Sequence, residues 1–543
     1  MIAELRTPAQ MVRDGMNRWP GLDILTFVEV AADGRLTEER RTYQTLLANG
    51  EAIAGALAAE GMAPGATFAI MMQNHPQFVE AIVGSELAGT VFVPVDPRAR
   101  GEKLAYMLRF ARCRGVLVAD YALAHVLAVA DDLPELQWIW VLGEPAASAG
   151  RARVASLRQV MERRHAPPVP APDLGRTMQL LYTSGTTGDP KAIVSPYARF
   201  AGIAALGPAL GLRDGDRPYT GLSLTHANAQ LITLGNALAH GLPLVISRRF
   251  TKSRLWEILA RYDCTMFSLL GGMAISIYAE PPGRWDRDHR VRYVLSAGMP
   301  PNLWPSFAER FGVEIFEFFG AAEGGMTLNP PGAGPIGSIG KPPPDSLCTV
   351  RDEADVECLP GVLGEICFRP VCGEPPPVTY LDNPAASAAK VRDGWFRSGD
   401  AGYKDAGGWL YFAHRLGGSI RRNGDFVSAA QIEAEIAALD QVADVHVYGL
   451  ATPANAPGEK EIVAAVVLHP GAVLDARSIL DHCRHRIGAA SIPSFIQLVD
   501  EIPKTASEKP QQRFLERMLA EGRGALFDTT GSAVTQNPAG DPQ

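Results

Sequence analysis

A short polar stretch, Leu180 to Ala192, has the residue types that bind phosphate. It reads LLYTSGTTGDPKA and places hydroxyl side chains, glycines and one lysine behind a short apolar run. Hydroxyls and lysine can donate hydrogen bonds to phosphate oxygens, and glycines let the backbone approach them closely. The stretch therefore predicts a phosphate-binding loop. Its donor and turn residues are Thr183, Ser184, Gly185, Thr186, Thr187, Gly188 and Lys191.

The stretch departs from the general P-loop pattern, G-x-x-x-x-G-K-[ST], in ways that change its predicted geometry. Counting from Gly185, Pro190 stands at the second glycine and Ala192 follows the lysine. The continuation KAIVS predicts a strand, so no helix N-terminus is available for the phosphate. We therefore expect a loop between two strands that binds phosphate through hydroxyls, N–H groups and Lys191. An ordinary polar hairpin is the alternative on these residues alone.

Composition limits the class of protein. The 543 residues carry a net charge of -8, which argues against binding to nucleic acid or to an anionic membrane. The length predicts several folding units at roughly 150 residues each. The seven cysteines show no CxxC spacing, which argues against a disulfide framework or a zinc site and favours a cytoplasmic protein. We find no secretory signal and no apolar run of about 18 residues that would predict an integral membrane segment.

Alternating helix and strand patterns predict an α/β protein with parallel sheets. Beyond about residue 330 proline and glycine become frequent, and short strands predict a more antiparallel region. We expect a large N-terminal domain of two parallel-type α/β subdomains plus a small β-rich subdomain, followed by a small mobile α+β C-terminal domain. The predicted bounds are 1–415 for the N-terminal domain, 416–418 for a hinge, 419–524 for the C-terminal domain and 525–543 for a disordered tail.

Several stretches, in one order along the chain, resemble the motifs of the adenylate-forming superfamily, which includes acyl-CoA synthetases, adenylation domains of peptide synthetases and beetle luciferases. Tyr182 to Ala192 is similar to the Y-T-S-G-T-T-G-x-P-K-G loop of that superfamily, with only the last residue altered. The other stretches are SAGMP, FFGAAEGG, FRSGD, the arginine that ends GWLYFAHR, and PKTASEK. The resemblance covers nearly the whole chain.

The resemblance implies a site for ATP, Mg²⁺ and coenzyme A. The phosphate loop would hold the β and γ phosphates, Asp400 would bind both ribose hydroxyls, and Arg415 would contact ribose or phosphate. Glu323 stands at the magnesium-ligand position and Lys509 at the catalytic lysine, while Gly424 matches the glycine that opens a path for pantetheine. The implied nucleotide- and CoA-binding residues outside the loop are Ser296, Ala297, Gly298, Phe319, Gly320, Ala322, Asp400, Arg415 and Gly424.

The implied reaction has two steps. A substrate carboxylate attacks the α-phosphorus of ATP and releases pyrophosphate, and a thiolate then attacks the acyl adenylate. Lys509 would act only in the first step, after which the C-terminal domain would rotate about the hinge at RLGG. The departures from the family pattern are Gly417 and Gly418 at the hinge, Ala192 and Glu508 at usual glycine positions, and Ala322 at a usual threonine position.

The resemblance does not fix the acid or the acceptor. GLSLTHANAQ, Gly221 to Gln230, contains no acidic residue for an α-ammonium group, so we do not expect an amino acid substrate. His226 resembles the acyl-CoA ligase histidine that lies near the carboxylate, and a histidine satisfied in the core is the alternative. The pocket segments favour an aromatic or a medium to long aliphatic acid, with CoA as acceptor. A carrier-loading enzyme, a non-catalytic protein with the same fold and a homodimer are further hypotheses.

Overall fold

A computed structural model describes residues 5–145, 151–168, 171–183, 190–375, 377–416, 420–422, 425–427, 429–452, 460–487, 491–505 and 508–534. Within these ranges no helix is both long enough and apolar enough to cross a membrane. All seven cysteines lie in the described ranges, and none of them forms a disulfide.

Helices and strands alternate through the first part of the chain, as the apolar periodicity predicts. In chain order the elements are α1 (Pro8–Arg18), β1 (Asp23–Val30), β2 (Leu36–Thr42), α2 (Tyr43–Ala59), β3 (Thr67–Met71), α3 (Pro76–Ala88), β4 (Val91–Pro94), α4 (Gly101–Phe110), β5 (Gly115–Ala119), α5 (Asp120–Leu127), a 3₁₀ turn (Ala130–Asp132), β6 (Trp138–Leu142), β7 (Arg153–Ser156), α6 (Leu157–Glu162), β8 (Thr177–Thr183), β9 (Lys191–Pro196) and α7 (Tyr197–Ala204).

The alternation continues and then gives way to consecutive strands. The elements are β10 (Pro218–Thr220), a π-helix (Asn228–Leu234), α8 (Gly235–His240), β11 (Leu244–Ser247), a 3₁₀ turn (Lys252–Arg254), α9 (Leu255–Arg261), β12 (Met266–Leu270), α10 (Gly271–Tyr278), a 3₁₀ turn (Arg284–Asp286), β13 (Tyr293–Ala297), α11 (Trp304–Phe311), β14 (Glu314–Gly320), β15 (Met326–Asn329), β16 (Ser346–Arg351), β17 (Gly364–Pro370), α12 (Pro384–Ala388), β18 (Val391–Arg392), β19 (Trp395–Lys404) and β20 (Leu410–Arg415).

Two sheets form the body of the N-terminal domain. The first sheet has the strand order β7-β6-β5-β3-β4-β8-β9, and the second has the order β15-β14-β13-β12-β10-β11-β1-β2. Neighbouring strands run parallel except in the pairs β8–β9, β14–β15 and β1–β2. The α/β prediction is confirmed. In such sheets the carboxyl ends of the parallel strands share one edge, where ligand sites collect.

Helices α2 and α3 pack closely and join the two sheets. One hydrophobic cluster contains residues of both helices together with Phe68 of the first sheet and Phe27 of the second. The helices approach through glycine, because a Cβ on Gly50 would lie only 2.6 Å from Cγ1 of Val83. Any side chain at Gly50 would therefore push the helices apart.

The β-rich subdomain predicted after residue 330 is a third, antiparallel sheet. Its order is β16-β17-β19-β18, and β20 pairs with β19. Its apolar cluster includes Ile366 and Phe368 of β17 and also Leu181 and Ile193 of the first sheet. The third sheet is therefore fixed against the β8–β9 pair that flanks the phosphate loop.

The C-terminal region forms an α+β unit, as predicted. It comprises β21 (Ile420–Arg422), β22 (Asp425–Val427), α13 (Ala429–Ala437), β23 (Val442–Leu450), β24 (Glu461–Leu468), α14 (Ala476–Arg486), β25 (Phe495–Leu498), α15 (Gln512–Ala520) and β26 (Ala525–Phe527). Strands β21 and β22 form a hairpin, and the C-terminal sheet has the order β23-β24-β25-β26.

The prediction of a disordered tail from residue 525 was wrong for its first ten residues. Strand β26 pairs antiparallel with β25, with Leu498 opposite Ala525. Leu526 is buried, and Val534 packs against the same apolar cluster. The apolar triplet Ala-Leu-Phe forms the edge strand of the C-terminal sheet. The polar residues around this triplet led to the prediction of disorder. Residues 535–543 lie outside the described part of the chain.

The buried Asn74 connects the functional edges of the first two sheets. It follows β3, and its Nδ2 donates to the carbonyl oxygens of Leu222 (2.9 Å) and Ser247 (2.8 Å). Its Oδ1 accepts from the backbone N–H of Leu224 at 2.8 Å. The amide thus satisfies backbone groups in the loop between β10 and the π-helix, which carries His226.

We predict that Asn74→Ala lowers the free energy of unfolding of the N-terminal domain by about 2–4 kcal/mol, because it leaves buried backbone groups unpaired. The measurement is thermal unfolding followed by calorimetry. Asn302→Ala is the control, because Asn302 is exposed and its Nδ2 donates to a side-chain oxygen of Glu435 at 3.4 Å. Equal midpoints for the two variants would contradict the role given to Asn74.

Candidate active site

The phosphate-binding stretch lies between two strands, as predicted. Strands β8 and β9 are antiparallel, with Tyr182 opposite Ala192 and Thr183 opposite Lys191. The predicted loop donors Ser184 to Gly188 and the side chain of Thr183 lie outside the described residues. Ala192 is fully buried in β9, and its carbonyl oxygen accepts from the backbone N–H of Leu381 at 2.9 Å. Ala192, which stands where the family usually has glycine, therefore lies in a packed strand.

Glu323 is held from two sides at the end of the second sheet. The Tyr380 hydroxyl donates to its Oε1 at 2.8 Å. Arg199 of α7 donates to the backbone carbonyls of Glu323 (2.8 Å) and Ala321 (2.9 Å). Burial and the Glu323 carboxylate raise the pKa of Tyr380 well above its usual value. Ala322, between the two carbonyls that Arg199 binds, packs against the apolar cluster of the third sheet.

Tyr380 also links Glu323 to the phosphate-binding stretch. The Nζ of Lys191 lies 5.6 Å from the centroid of the Tyr380 ring, a distance at which a cation interacts with an aromatic face. One tyrosine therefore contacts the predicted magnesium ligand through its hydroxyl and the predicted phosphate-binding lysine through its ring. Neither Tyr380 nor Arg199 belongs to a motif, so the sequence offered no signal for either.

Asp400 and Arg415 form an ion pair on neighbouring strands of the third sheet. The antiparallel register places them directly opposite each other. Nε of Arg415 donates to Oδ1 of Asp400 at 2.9 Å, and Nη2 lies 3.4 Å from Oδ2. Asp400 is only 2% exposed, and its hydrogen bonds raise the pKa of Arg415. The structure thus brings together the predicted ribose-binding residues, which lie 15 positions apart.

The predicted adenine segment ends β13 and is shaped by a buried acid. Ser296 and Ala297 are the last strand residues, and Gly298 follows with φ +97°. Glu317 of β14 accepts from the backbone N–H groups of Gly298 and of Met299, the latter at 3.1 Å. Complete burial raises the pKa of Glu317 to about 8. Sequence reasoning missed Glu317, although a single acid inside the apolar run IFEFF was a usable signal.

Phe319 and Gly320 end β14 beside this segment. The ring of Phe319 stacks near Phe368 with the centroids 6.1 Å apart and lies 6.4 Å from that of Phe412. Gly320 is exposed at the strand end. This aromatic group therefore lies where the second and third sheets meet.

His226 lies just before the π-helix and is neutral. Its Nδ1 accepts from the backbone N–H of Asn228 at 3.2 Å. Burial and the nearby Lys509 cation lower the pKa of His226 to about 4. Because Nδ1 is an acceptor, the ring proton of the neutral histidine is on Nε2, where it can donate to a ligand.

Lys509 reaches this region from the C-terminal domain. Its carbonyl oxygen accepts from the N–H of Thr505 at 2.8 Å, and its own N–H donates to Oγ1 of Thr505 at 3.1 Å. Burial and the positive charges of Arg415 and Lys103 lower the pKa of Lys509. The charge of Lys509 therefore opposes protonation of His226, and the charge of Arg415 opposes protonation of Lys509.

Glu508 carries backbone strain beside this lysine. Its φ is +59°, in the left-handed region where glycine, the usual residue of the family at this position, has no steric penalty. Burial raises the pKa of the Glu508 carboxyl, and the charges of Lys504 and Arg98 oppose that rise. The predicted effect of Glu508 on the lysine loop therefore has a concrete origin in the backbone.

The remaining predicted residues stay predictions. Gly417, Gly418 and Gly424 lie outside the described residues. Among the residues that are described, no cluster of three or more His, Cys, Asp or Glu side chains forms a metal cage. Mg²⁺ is usually bound through one or two carboxylates together with substrate phosphates. Glu323 supplies one carboxylate beside the predicted phosphate-binding stretch. This arrangement fits a magnesium ion bound by one carboxylate and by phosphate oxygens.

Comparison with known proteins follows the same division of the chain. The AMP-binding enzyme family model matches residues 15–372, and the model of the AMP-binding enzyme C-terminal domain matches residues 431–509, which end at the predicted catalytic lysine. Long-chain fatty acid transport protein 1 of Mus musculus is 28% identical over 508 residues, 88% of this chain and 78% of that protein. Crotonobetaine/carnitine–CoA ligase of Escherichia coli O7:K1 is 28% identical over 472 residues, 83% of this chain and 88% of that protein.

A solved structure shares the fold. The anthranilate CoA ligase AuaEII in complex with anthranoyl-AMP matches with a TM-score of 0.81 at 23% identity, over 95% of this chain and 98% of that chain. The AMP-binding enzyme family model covers well over half of the chain. The chain belongs to the AMP-binding enzyme family, the adenylate-forming enzymes that its motifs resemble.

Proposed function

We propose that the chain is an AMP-forming ligase that joins a monocarboxylic acid to CoA. The general reaction is ATP-dependent acid–CoA ligation, in which the acid becomes an acyl adenylate and pyrophosphate is released. The proposed site rests on the Asp400–Arg415 ion pair at 2.9 Å, with the positive charge of Arg415 acting on Lys509 of the C-terminal domain. A single domain could not supply this arrangement, because the lysine and its partners come from different domains.

In the first step the substrate carboxylate attacks the α-phosphorus of ATP in line and expels pyrophosphate. Lys509 and Arg415 would supply positive charge to the oxygens on which negative charge develops. Asp400 would accept from the ribose hydroxyls, and the Nε2 proton of His226 would be available to the carboxylate. Mg²⁺, when bound at Glu323 with the phosphate oxygens, would stabilise the same charge.

The second step needs a thiol and a changed site. Lys509 has no part in attack of a thiolate on the acyl carbon, so its departure would open space for the acceptor. Residues 416–418 would provide the hinge, and Gly424 would open the path for pantetheine, as the family resemblance implies. CoA is the acceptor in the name of the Escherichia coli relative, which supports it here over a carrier protein.

The acid class follows from the charges that the site lacks. The segments Leu270–Met273 and Ser296–Met299, at the ends of β12 and β13, contain no lysine or arginine to pair a second carboxylate. Arg199 is already bonded to two backbone carbonyls. The names of related proteins cover fatty acids, crotonobetaine and anthranilate. These observations support a monocarboxylic aromatic or aliphatic acid.

Acid-dependent exchange of labelled pyrophosphate into ATP tests this function. We would screen aryl, fatty, bile-acid-like and betaine acids, and then compare CoA with a phosphopantetheinylated carrier protein as acceptor for the best acid. Exchange with at least one monocarboxylic acid and transfer to CoA are expected. Exchange with none of the acids would favour a non-catalytic protein, and transfer to the carrier protein alone would favour a carrier-loading enzyme.

We further propose a cytoplasmic location and leave a homodimer as a hypothesis. The seven unpaired thiols support a reducing compartment. Light scattering on the purified chain would give its oligomeric state directly.

We predict that Lys509→Ala slows acyl-adenylate formation by about 10²–10³-fold, because a positioned cation is lost from the developing charge. Conversion of supplied acyl adenylate and CoA to thioester should change little. The two half-reactions are measured separately by rapid quench. Lys404→Ala is the control, because Lys404 pairs with Glu357 at 2.9 Å on the third sheet. Equal losses in both half-reactions would refute the role of Lys509.

We predict that Glu508→Gly adenylates at least as fast as the wild type, whereas Glu508→Val is about tenfold slower than Glu508→Gly. Left-handed backbone costs an L-residue about 1–2 kcal/mol, and a β-branched side chain is especially unfavourable there. The backbone strain lies next to Lys509 and opposes its docked position. Only the rate of the first half-reaction, acyl-adenylate formation, should therefore change. Equal adenylation rates for the glycine and valine variants would show that this backbone conformation does not limit the step.

A further inference from the structure

The side chain of Asn228 is buried without a hydrogen-bond partner. It is the first residue of the π-helix and is 6% exposed. Neither its Oδ1 nor its Nδ2 has a partner within the described structure, although its backbone N–H is bonded to His226. A buried amide that leaves both its donor and its acceptor unpaired is unfavourable, so a group that satisfies both would bind with a clear advantage.

The π-helix determines which way this amide faces. A π-helix has i→i+5 hydrogen bonds, so residues about four or five apart share one face. Asn228 therefore shares a face with Ile232 and Thr233. Ile232 packs in a cluster with Leu295 of β13, and the hydroxyl of Thr233 lies 3.0 Å from that of Ser268 on β12. This face lies against the second sheet.

Position along the helix places Asn228 at the functional edge of that sheet. The π-helix follows β10 and returns antiparallel to the strands, so its first residue lies near their carboxyl ends. There Leu270 and Ala297 are the last residues of β12 and β13, paired in register. Two residues before Asn228 is His226, which we place beside the substrate carboxylate. Asn228 therefore lies two residues from the position that the proposed mechanism gives to the substrate carboxylate.

We propose that Asn228 is a specificity-determining residue that selects acids carrying a neutral hydrogen-bonding substituent, a hydroxyl or an aryl amino group, near the carboxylate end of the tail. A hydroxyl both donates and accepts, and so complements the unpaired Nδ2 and Oδ1, whereas a neutral aryl amine complements Oδ1 by donating to it. A charged substituent is not complemented, because the amide carries no net charge. The inference rests on the proposed function, whose acid class it narrows.

Matched pairs of acids test the selection. Pyrophosphate exchange gives kcat/KM for benzoate beside 2-, 3- and 4-hydroxybenzoate and 2-aminobenzoate, and for octanoate beside 2- and 3-hydroxyoctanoate. We expect the wild type to prefer at least one substituted acid over its parent by about tenfold or more, since a site built to bond a substituent discriminates strongly against its absence. Ratios near one in every pair for the wild type would overturn the proposal.

Variants assign the preference to this side chain. Asn228→Leu keeps the side-chain volume. It should reduce the ratio of kcat/KM for a substituted acid to kcat/KM for its parent to near one, mainly by lowering kcat/KM for the substituted acid. Asn228→Ser keeps one hydroxyl and should give an intermediate ratio, which provides a second test if the leucine variant folds poorly. Thr233→Val is the control, because it removes a polar group on the same face that already has a partner. An unchanged ratio in a folded Asn228 variant would also overturn the proposal.

The outcomes separate this inference from the function on which it rests. Exchange with some acids but no effect of the substituent refutes the role of Asn228 alone. Exchange with none of the acids refutes the ligase function, and the selection with it.

Discussion

The ion pair between Asp400 and Arg415 is the interaction on which the site depends. It connects adjacent strands of the third sheet, and Arg415 ends the last strand before the predicted hinge. The charge of Arg415 acts on Tyr380, which holds Glu323, and also on Lys509. One buried carboxylate thus fixes a cation that influences both the tyrosine bound to the predicted magnesium ligand and the predicted catalytic lysine.

This arrangement concentrates positive charge. Arg415 and Lys103 both lower the pKa of Lys509, so docking of the lysine is opposed by its neighbours. The triphosphate of ATP is the anion that would offset this repulsion, and loss of pyrophosphate would restore it. Under the proposed function, electrostatics would favour a docked lysine before the first step and a departed lysine after it.

The motifs predicted much of the fold and the site because they combine local periodicity with residue chemistry. The expected strand KAIVS appears as β9, and the predicted phosphate loop lies between two strands, as the failed match to a P-loop indicated. Asp400 and Arg415 were both identified from motifs, and the antiparallel register brings them together.

Other features depend on contacts between distant parts of the chain, which no local pattern contains. Arg199, Tyr380 and Glu317 act through bonds to backbone or side chains from other elements. The π-helix after His226 has the same apolar composition as an α-helix, so periodicity does not distinguish them. Strand β26 was missed because three apolar residues in a polar tail gain their stability only from the neighbouring strand.

The central claim is that this site activates a carboxylate by attack on the α-phosphorus of ATP. The most direct test uses an accepted acid labelled with ¹⁸O in its carboxylate, together with ATP, Mg²⁺ and CoA, and mass spectrometry of the products. The account predicts one ¹⁸O in AMP, unlabelled pyrophosphate and one acyl-CoA for each AMP. Label in inorganic phosphate with formation of ADP, or AMP released without label, would contradict it.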